Sequence, residues 1–330
     1  MRHGIKALVC GTLAAAIMLF GAPANVDAQT PKLRIVFPTS SATLVLPFYV
    51  AQKKGWLDAD TTVVSGDANA VRALLSGTSD LAVVGDFNVV AAIGQGAKLK
   101  GISAWQGVND YNLIVTPKIS QLKDLEGKVF AGTGPGGPPE EYTRLLFKKH
   151  GIDASKVEFI AVSGGHSNIL QALIAGRADG GLVNTLTAVQ GERGGKVKVL
   201  TALAKEYPNL GYCYNIVRQE TLDDPKFRAQ LATFVEAGIK SARFIAKHPD
   251  EAAAILRERL PDLDPAVTNA VVQKLSHDGV WGINGGIEEA AVADTLDVFR
   301  KTGLLKGNVD PAQVVDRRFV NEALAKLGKE

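Results

Sequence analysis

The amino-acid sequence predicts an α/β protein built from two lobes of similar design. From Leu33 to Leu200, short apolar strands alternate with helices, an order that predicts largely parallel sheets covered by helices. A helix–Gly–x–x–Asp–strand unit occurs twice, and a Tyr-Asn strand follows each series of alternating elements. These observations predict two mostly parallel sheets, each flanked by helices, with two crossover strands as the hinge.

The elements follow in order from turn residues and apolar runs. Pro47 is predicted to open a helix that Gly55 ends, because proline suits a first turn and glycine a C-terminal cap. Beyond Asp223 the pattern is almost wholly helical, and these helices are expected to cover lobe one. The predicted strands are 33–37, 61–64, 81–84, 99–103, 129–131, 157–161, 181–183 and 197–200. The predicted helices are 47–54, 68–76, 87–95, 139–149, 166–175, 224–247, 249–258, 265–276 and 287–302.

The repeated unit aligns residues 71–84 with residues 170–183 without a gap. In each copy a glycine is predicted to end the helix in the left-handed conformation, and an aspartate precedes a buried strand. Any α/β protein could contain such a unit twice, but the constant offset favours two related lobes.

Two similar strands locate the boundary between the lobes. Tyr111-Asn112-Leu113-Ile114-Val115 is similar to Tyr214-Asn215-Ile216-Val217, and both are interpreted as segments that cross between the lobes. Lobe one is therefore predicted to comprise residues 29–113 and 216–330, and lobe two residues 114–215.

The N-terminal segment is predicted to be a cleaved secretory signal. Arg2 and Lys6 precede an apolar run over 7–22, and Val26-Asp27-Ala28 offers small residues to a signal peptidase, so residues 1–28 are expected to be removed. The alternative is a membrane anchor, but the run is shorter than the roughly 20 residues that a span needs. The sequence thus predicts a periplasmic protein without direct membrane insertion after cleavage.

Composition argues against several functional classes. The net charge is only +3 and the basic residues are scattered, which argues against nucleic-acid binding. No histidine lies at metal-ligand spacing, so neither a metal nor a cofactor is expected. The mature chain keeps Cys213, whose two interpretations are buried packing and a reactive thiol. We expect a monomer.

Three segments together resemble a known family. They are Leu46–Leu57 (LPFYVAQKKGWL), Leu122–Val129 (LKDLEGKV) and His248–Ala252 (HPDEA). In this order they resemble periplasmic substrate-binding proteins of ABC transporters, of the type that binds nitrate, sulfonates, taurine or thiamine-pyrimidine precursors. The resemblance implies the type II binding-protein fold, a small-molecule ligand between the lobes, and an ABC permease with its ATPase as partner.

Ligands of open parallel sheets bind beyond the carboxyl ends of the strands, which defines the candidate loops. Hydroxyls and glycines near helix starts could bind an anion through backbone amides, or could only cap helices and form turns. These candidates are Ser40, Ser41, Thr43, Thr133, Gly136 and Gly137.

The other candidates are larger side chains. Asp86 could accept an amine, amidine or ring N–H, or could only cap a helix. Phe87 and Trp105 could stack on a planar ligand or simply pack. The remaining candidates are His166, Asn184 and, over the rim of the cleft, Trp281.

No candidate loop contains arginine, which argues against an arginine-clamped anion such as sulfate. The sequence therefore predicts a protein that binds a small planar molecule or organic anion for an ABC importer and is not an enzyme. A binding subunit of a sensor or secondary transporter, and a thiamine-pyrimidine-type enzyme, are the alternatives. The enzyme is disfavoured because no catalytic grouping has motif support.

Overall fold

The computed structural model describes residues 32–39, 41–134, 138–305 and 307–330. The predicted signal segment, Ser40, Gly136 and Gly137 lie outside the described residues.

Strands and helices alternate through the first two thirds of the described chain. The strands are β1 (Leu33–Phe37), β2 (Ala59–Val63), β3 (Leu81–Gly85), β4 (Leu99–Ser103), β5 (Tyr111–Val115), β6 (Val129–Gly132), β7 (Glu158–Ala161), β8 (Gly180–Asn184), β9 (Lys198–Ala202) and β10 (Cys213–Arg218). The helices among them are α1 (Ala42–Lys53), α2 (Asp67–Leu75), α3 (Asp86–Gly94), α4 (Pro138–Lys149), α5 (His166–Ile174), α6 (Thr185–Arg193) and α7 (Leu203–Glu206).

The C-terminal third is helical, as the sequence predicts. Its helices are α8 (Gln219–Asp223), α9 (Pro225–Lys247), α10 (Pro249–Arg259), α11 (Pro265–His277), α12 (Glu289–Thr302), α13 (Pro311–Val314) and α14 (Arg318–Leu327). Proline occupies the first turn of α9, α10 and α11, where a missing N–H costs nothing. Asp224 and Asp264 accept backbone hydrogen bonds as the N-caps of α9 and α11.

The strands form two five-stranded sheets, which confirms the predicted two-lobed α/β fold. The strand orders are β2-β1-β3-β10-β4 in lobe one and β7-β6-β8-β5-β9 in lobe two. In lobe one β10 runs antiparallel between β3 and β4, and in lobe two β5 runs antiparallel between β8 and β9. The two lobes therefore repeat one topology.

The chain passes between the sheets through residues 104–110 and 207–212. Strand β5 belongs wholly to the second sheet and β10 wholly to the first. The two Tyr-Asn segments are thus strands that follow the crossings. The predicted boundaries at 113 and 215 fall inside these strands.

The similarity between the Tyr-Asn strands is one residue out of structural register. Tyr111 pairs with Asn184, and Cys213 pairs with Gly85. Since Gly85 and Asn184 occupy matching positions of the repeated unit, the structural counterpart of Tyr111 is Cys213. A shift of one residue along a strand reverses the face on which a side chain lies. Tyr111 and Tyr214, which align in the sequence, therefore lie on opposite faces of their sheets.

The repeated unit itself forms as predicted in both lobes. Gly77 and Gly176 have φ angles of 77° and 70°, the left-handed conformation that ends each helix. Asp80 accepts a hydrogen bond from the Arg34 backbone N–H at 3.0 Å, and Asp179 accepts one from the Val129 N–H at 3.2 Å. The aspartate thus joins the turn to β1 in lobe one and to β6 in lobe two.

Helix α1 begins earlier than predicted and contains Pro47 in its interior. Leu44, Val45 and Leu46, which precede the proline, are all buried. Burial of three large apolar side chains outweighs the one backbone hydrogen bond that proline removes.

Substitution of Gly282 tests the packing of the first crossover. A Cβ atom at this position would lie 2.1 Å from the Ala104 carbonyl oxygen, and the backbone would have to move. We expect Gly282→Ala to lower the free energy of unfolding by about 1–3 kcal/mol, measured by urea denaturation. Gly94→Ala is the control, because its added Cβ meets only Leu305 at 3.8 Å. Equal stability of the two variants would contradict the packing described.

Candidate functional site

A cleft of about 900 Å³ lies between the two lobes, where the strand-to-helix loops of both sheets face one another. Lobe one contributes the loops before α1 and α2 and the start of α3. Lobe two contributes the starts of α4, α5 and α6. The last residue of α10 and the loop that follows it complete the lining, with Arg259, Leu260, Pro261, Asp262 and Leu263.

Three tyrosines form the aromatic floor of the cleft. The Tyr111 ring makes edge contacts with the rings of Tyr142 and Tyr212, at centroid distances of 5.8 and 5.7 Å. Tyr111 begins β5 and Tyr212 directly precedes β10. An antiparallel strand begins where its parallel neighbours end, so both rings lie at the carboxyl edge of the sheets.

Asp86, a predicted ligand contact, has its carboxylate already engaged. Its Oδ1 atom accepts hydrogen bonds from the Tyr142 hydroxyl and the Phe87 backbone N–H, each at 2.7 Å. Its Oδ2 atom is buried and has no partner among the described residues. Burial raises the pKa of Asp86 to about 7, although both hydrogen bonds oppose that rise. The carboxylate therefore joins α3 to α4.

Asp67 is the carboxylate that is half-buried in the cleft. It begins α2, and its Oδ1 atom accepts a hydrogen bond from the Gly85 N–H at 3.0 Å. Burial raises the pKa of Asp67 above its ordinary value, and the Gly85 hydrogen bond opposes this effect. Asp67 can thus offer a carboxylate oxygen to a hydrogen-bond donor in the cleft.

His166 presents a neutral imidazole to the cleft. Burial lowers the pKa of His166 to about 4, because the charged ring loses its hydration. Its Nδ1 atom is buried without a partner among the described residues, and its ring contacts the Tyr111 ring at 5.2 Å.

The first crossing ends at another buried carboxylate, Asp110, near the floor of the cleft. Asp110 accepts a long hydrogen bond of 3.4 Å from the Thr185 N–H, and burial raises the pKa of Asp110 to about 6. A hydrogen bond from Tyr212 opposes that rise. Asp110 and Tyr212 directly precede β5 and β10, so this contact links the two crossings.

Several other predicted residues also line the cleft. Ser41, Phe87, Thr133 and Asn184 do so, together with Asp86 and His166. Asn184 is also the N-cap of α6, since its Oδ1 atom accepts a hydrogen bond from the Thr187 N–H at 3.0 Å. Phe87 packs edge-on against Phe299 at 5.8 Å. Asn184 and Phe87 thus line the cleft and also stabilise local structure, and their contact with a ligand stays a prediction.

The expected cleft positions of Trp105, Trp281 and Thr43 are wrong. Trp105 is buried in the core of lobe one, where its ring lies 4.9 Å from the Phe234 ring. Trp281 is buried among the C-terminal helices and donates a hydrogen bond to the Ser276 hydroxyl. Thr43 is fully buried in α1. Burial of large apolar rings in the core outweighs an exposed position at a cleft.

Sequence reasoning missed part of the site. The expectation that arginine is absent from the cleft needs correction, because Arg259, the last residue of α10, lies at its edge. Arg259 is exposed, and its guanidinium lies 5.6 Å from the centroid of the Tyr49 ring. The position of Asp67 in a predicted strand-to-helix loop could have indicated that it lines the cleft. Tyr142 lies inside a helix, and its position in the sequence gave no indication that it lines the cleft.

In the described part of the chain, no group of three or more histidine, cysteine or acidic residues is placed to hold a metal ion. No helix in that part has the length and hydropathy required to cross a membrane.

Comparison with known proteins identifies the family. The model of the NMT1/THI5-like family matches residues 42–252, well over half of the chain. The chain belongs to this family. Among curated proteins, YtlA of Bacillus subtilis (strain 168) is 23% identical over 290 residues, which cover 85% of this chain and 86% of YtlA.

Solved structures agree with this membership at the level of fold. The ligand-binding component of an ABC-type import system from Staphylococcus aureus, with zinc bound, superimposes with a TM-score of 0.69 at 16% identity, covering 89% of this chain and 99% of the other. The periplasmic aliphatic sulphonate-binding protein SsuA from Escherichia coli gives 0.68 at 18% identity, covering 86% and 92%. This NMT1/THI5-like chain therefore has the periplasmic binding-protein fold.

The buried Asp86 makes the stability of this family member depend on pH. Its pKa is raised in the folded state, so between about pH 4 and pH 7 the folded chain holds more protons than the unfolded chain. The stabilisation is complete below pH 4 and is lost as the pH rises through 7. In the wild type, the free energy of unfolding should therefore decline as the pH rises from about 4 to 7. We expect Asp86→Asn to reduce the slope of this decline by up to about 1.4 kcal/mol per pH unit, measured by urea denaturation from pH 4 to pH 8.

A second variant separates the two buried carboxylates. Asp110→Asn should remove a decline in the free energy of unfolding between about pH 4 and pH 6, because burial raises the pKa of Asp110 to about 6, and the double variant should show the sum of both changes. An unchanged pH dependence in Asp86→Asn would contradict the buried state of this carboxylate.

Proposed function

We propose that the chain is the solute-binding component of an ABC importer and acts outside the cytoplasm, in the periplasm. It binds a small organic molecule between its lobes and delivers it to a membrane permease with its ATPase. Membership of the NMT1/THI5-like family and the likeness in fold to ABC-type ligand-binding components support this proposal. The observation that carries it is the interlobe cleft, whose 900 Å³ suits a small ligand.

The ligand is planar and donates hydrogen bonds, as a neutral or cationic N–H compound. The aromatic floor suits a flat ring, and Asp67 suits an amine, amidine or ring N–H. His166 adds no positive charge above pH 5, because its pKa is about 4. Of the described residues that line the cleft, only Arg259 is a lysine or arginine, and it is exposed at the edge.

The chain binds its ligand without converting it. Cys213 lines the cleft, but burial raises its pKa well above the ordinary value, which keeps the thiol protonated and poorly nucleophilic. His166 has no hydrogen bond to a serine or cysteine side chain that could serve as a nucleophile within the described residues. Binding alone is therefore the activity that this cleft supports.

Matched ring compounds test the charge preference. We expect calorimetric titration to detect benzamidine and 4-aminopyrimidine but to find benzenesulfonate much weaker, because Asp67 repels the sulfonate. Asp67→Asn keeps the acceptor for the Gly85 N–H and should weaken benzamidine binding about tenfold or more.

Asp262→Asn is the control for this titration. It removes the same charge from the exposed edge of the same cleft, and we expect less than a twofold change. Tighter binding of benzenesulfonate than of benzamidine would overturn the proposed ligand class. Failure of all three compounds to bind, and recovery of the native protein without any small molecule, would overturn the binding function.

A further inference from the structure

Tyr142 joins the two lobes through its hydroxyl group. It lies on α4 of lobe two, whereas Asp86 is the first residue of α3 in lobe one. The hydroxyl donates to Asp86 Oδ1 at 2.7 Å, and the two residues are only 3% and 1% exposed. Any motion that widens the cleft must break this bond and bring water to a buried carboxylate.

The Tyr142 ring makes a second contact across the cleft. It stacks on Phe299 of α12, with centroids 6.4 Å apart and an interplanar angle of 23°. Phe299 in turn packs against Phe87, the neighbour of Asp86. One residue of lobe two therefore contacts a compact group of lobe-one side chains through both its polar and its apolar parts.

Within lobe one, the Asp86 carboxylate has fewer hydrogen-bond donors than its two oxygen atoms can accept. Within its own lobe, the carboxylate accepts one hydrogen bond, from the Phe87 N–H, and Oδ2 has no partner among the described residues. The ionisable groups that act on it supply no positive charge. They are Asp67 on α2, Tyr142 on α4, Tyr111 on β5, and Cys213 and Tyr214 on β10. Among the described residues, Tyr142 is thus the only side-chain donor to the Asp86 carboxylate.

We propose that Tyr142 and Asp86 form an interlobe clasp that favours the closed state of the protein even without ligand. Tyr142 is then a positioning residue, because it raises affinity by favouring closure. The inference builds on the proposed binding function, in which two lobes close around a ligand. By population-shift reasoning, loss of the clasp lowers the apparent affinity for every ligand by the same factor.

The test compares Tyr142→Phe with Tyr49→Phe in ligand-free protein. Small-angle X-ray scattering should show a larger radius of gyration for Tyr142→Phe. Hydrogen exchange should show about fivefold faster exchange at the start of α3, the change expected for one lost hydrogen bond. Tyr49→Phe, which removes a hydroxyl on lobe one that forms no hydrogen bond within the described residues, should match the wild type in both measurements.

Variants of Asp86 separate the clasp from general packing. Asp86→Asn keeps an acceptor for the Tyr142 hydroxyl and should remain closed, whereas Asp86→Leu should open as Tyr142→Phe does. In the Asp86→Leu background, Tyr142→Phe should add nothing, because the interaction is already lost. Additive effects, an open Asp86→Asn variant, or a Tyr142→Phe variant indistinguishable from Tyr49→Phe would each overturn the clasp.

Ligand titration distinguishes failure of the clasp from failure of the binding function. Tyr142→Phe should weaken benzamidine and 4-aminopyrimidine by the same factor, whereas Asp67→Asn should act mainly on benzamidine, the cation. If the wild-type protein binds benzamidine and Tyr142→Phe binds it equally well, the clasp is wrong and the binding function stands.

Discussion

The backbone ladders of β5 and β10 are the constraint on which the rest of this structure depends. Each strand reaches its sheet from the other lobe and pairs on both sides with strands of the opposite direction. Because both lie inside a sheet, their N–H and C=O groups find partners only there. The lobes are thereby joined by two short connections that lead directly into the two cores.

The same ladders determine what lies at the cleft. An antiparallel strand starts at the edge where its parallel neighbours end, so residues next to the crossings lie among the strand-to-helix loops. Tyr111, Tyr212 and Cys213 reach the cleft for this reason. The crossings and the lining of the cleft are therefore built from the same few residues, so movement of the lobes must change the shape of the cleft.

The polar groups of the cleft divide between two tasks. Asp86 is buried and committed to a contact between lobes, whereas Asp67 is half-buried and keeps an oxygen for another donor. The pKa of Asp86 and the pKa of Asp67 are both raised, because burial removes more stabilising hydration from each carboxylate than its hydrogen bonds replace. With the imidazole of His166 neutral, no positively charged side chain lies in the interior of the cleft among the described residues near neutral pH.

Local patterns in the sequence determined the β-α alternation, the glycine turns at Gly77 and Gly176, and the proline-led C-terminal helices, because these depend on neighbouring residues. They also indicated the loops that line the cleft, since every parallel strand delivers its loop to the same edge. Tertiary structure alone decided that Trp105 and Trp281 lie in the core and that Tyr142 reaches Asp86. It also brought Arg259 to the cleft from a distant helix pair. These outcomes depend on contacts between residues far apart in the chain, where packing of the whole molecule decides between positions that look equivalent in the sequence.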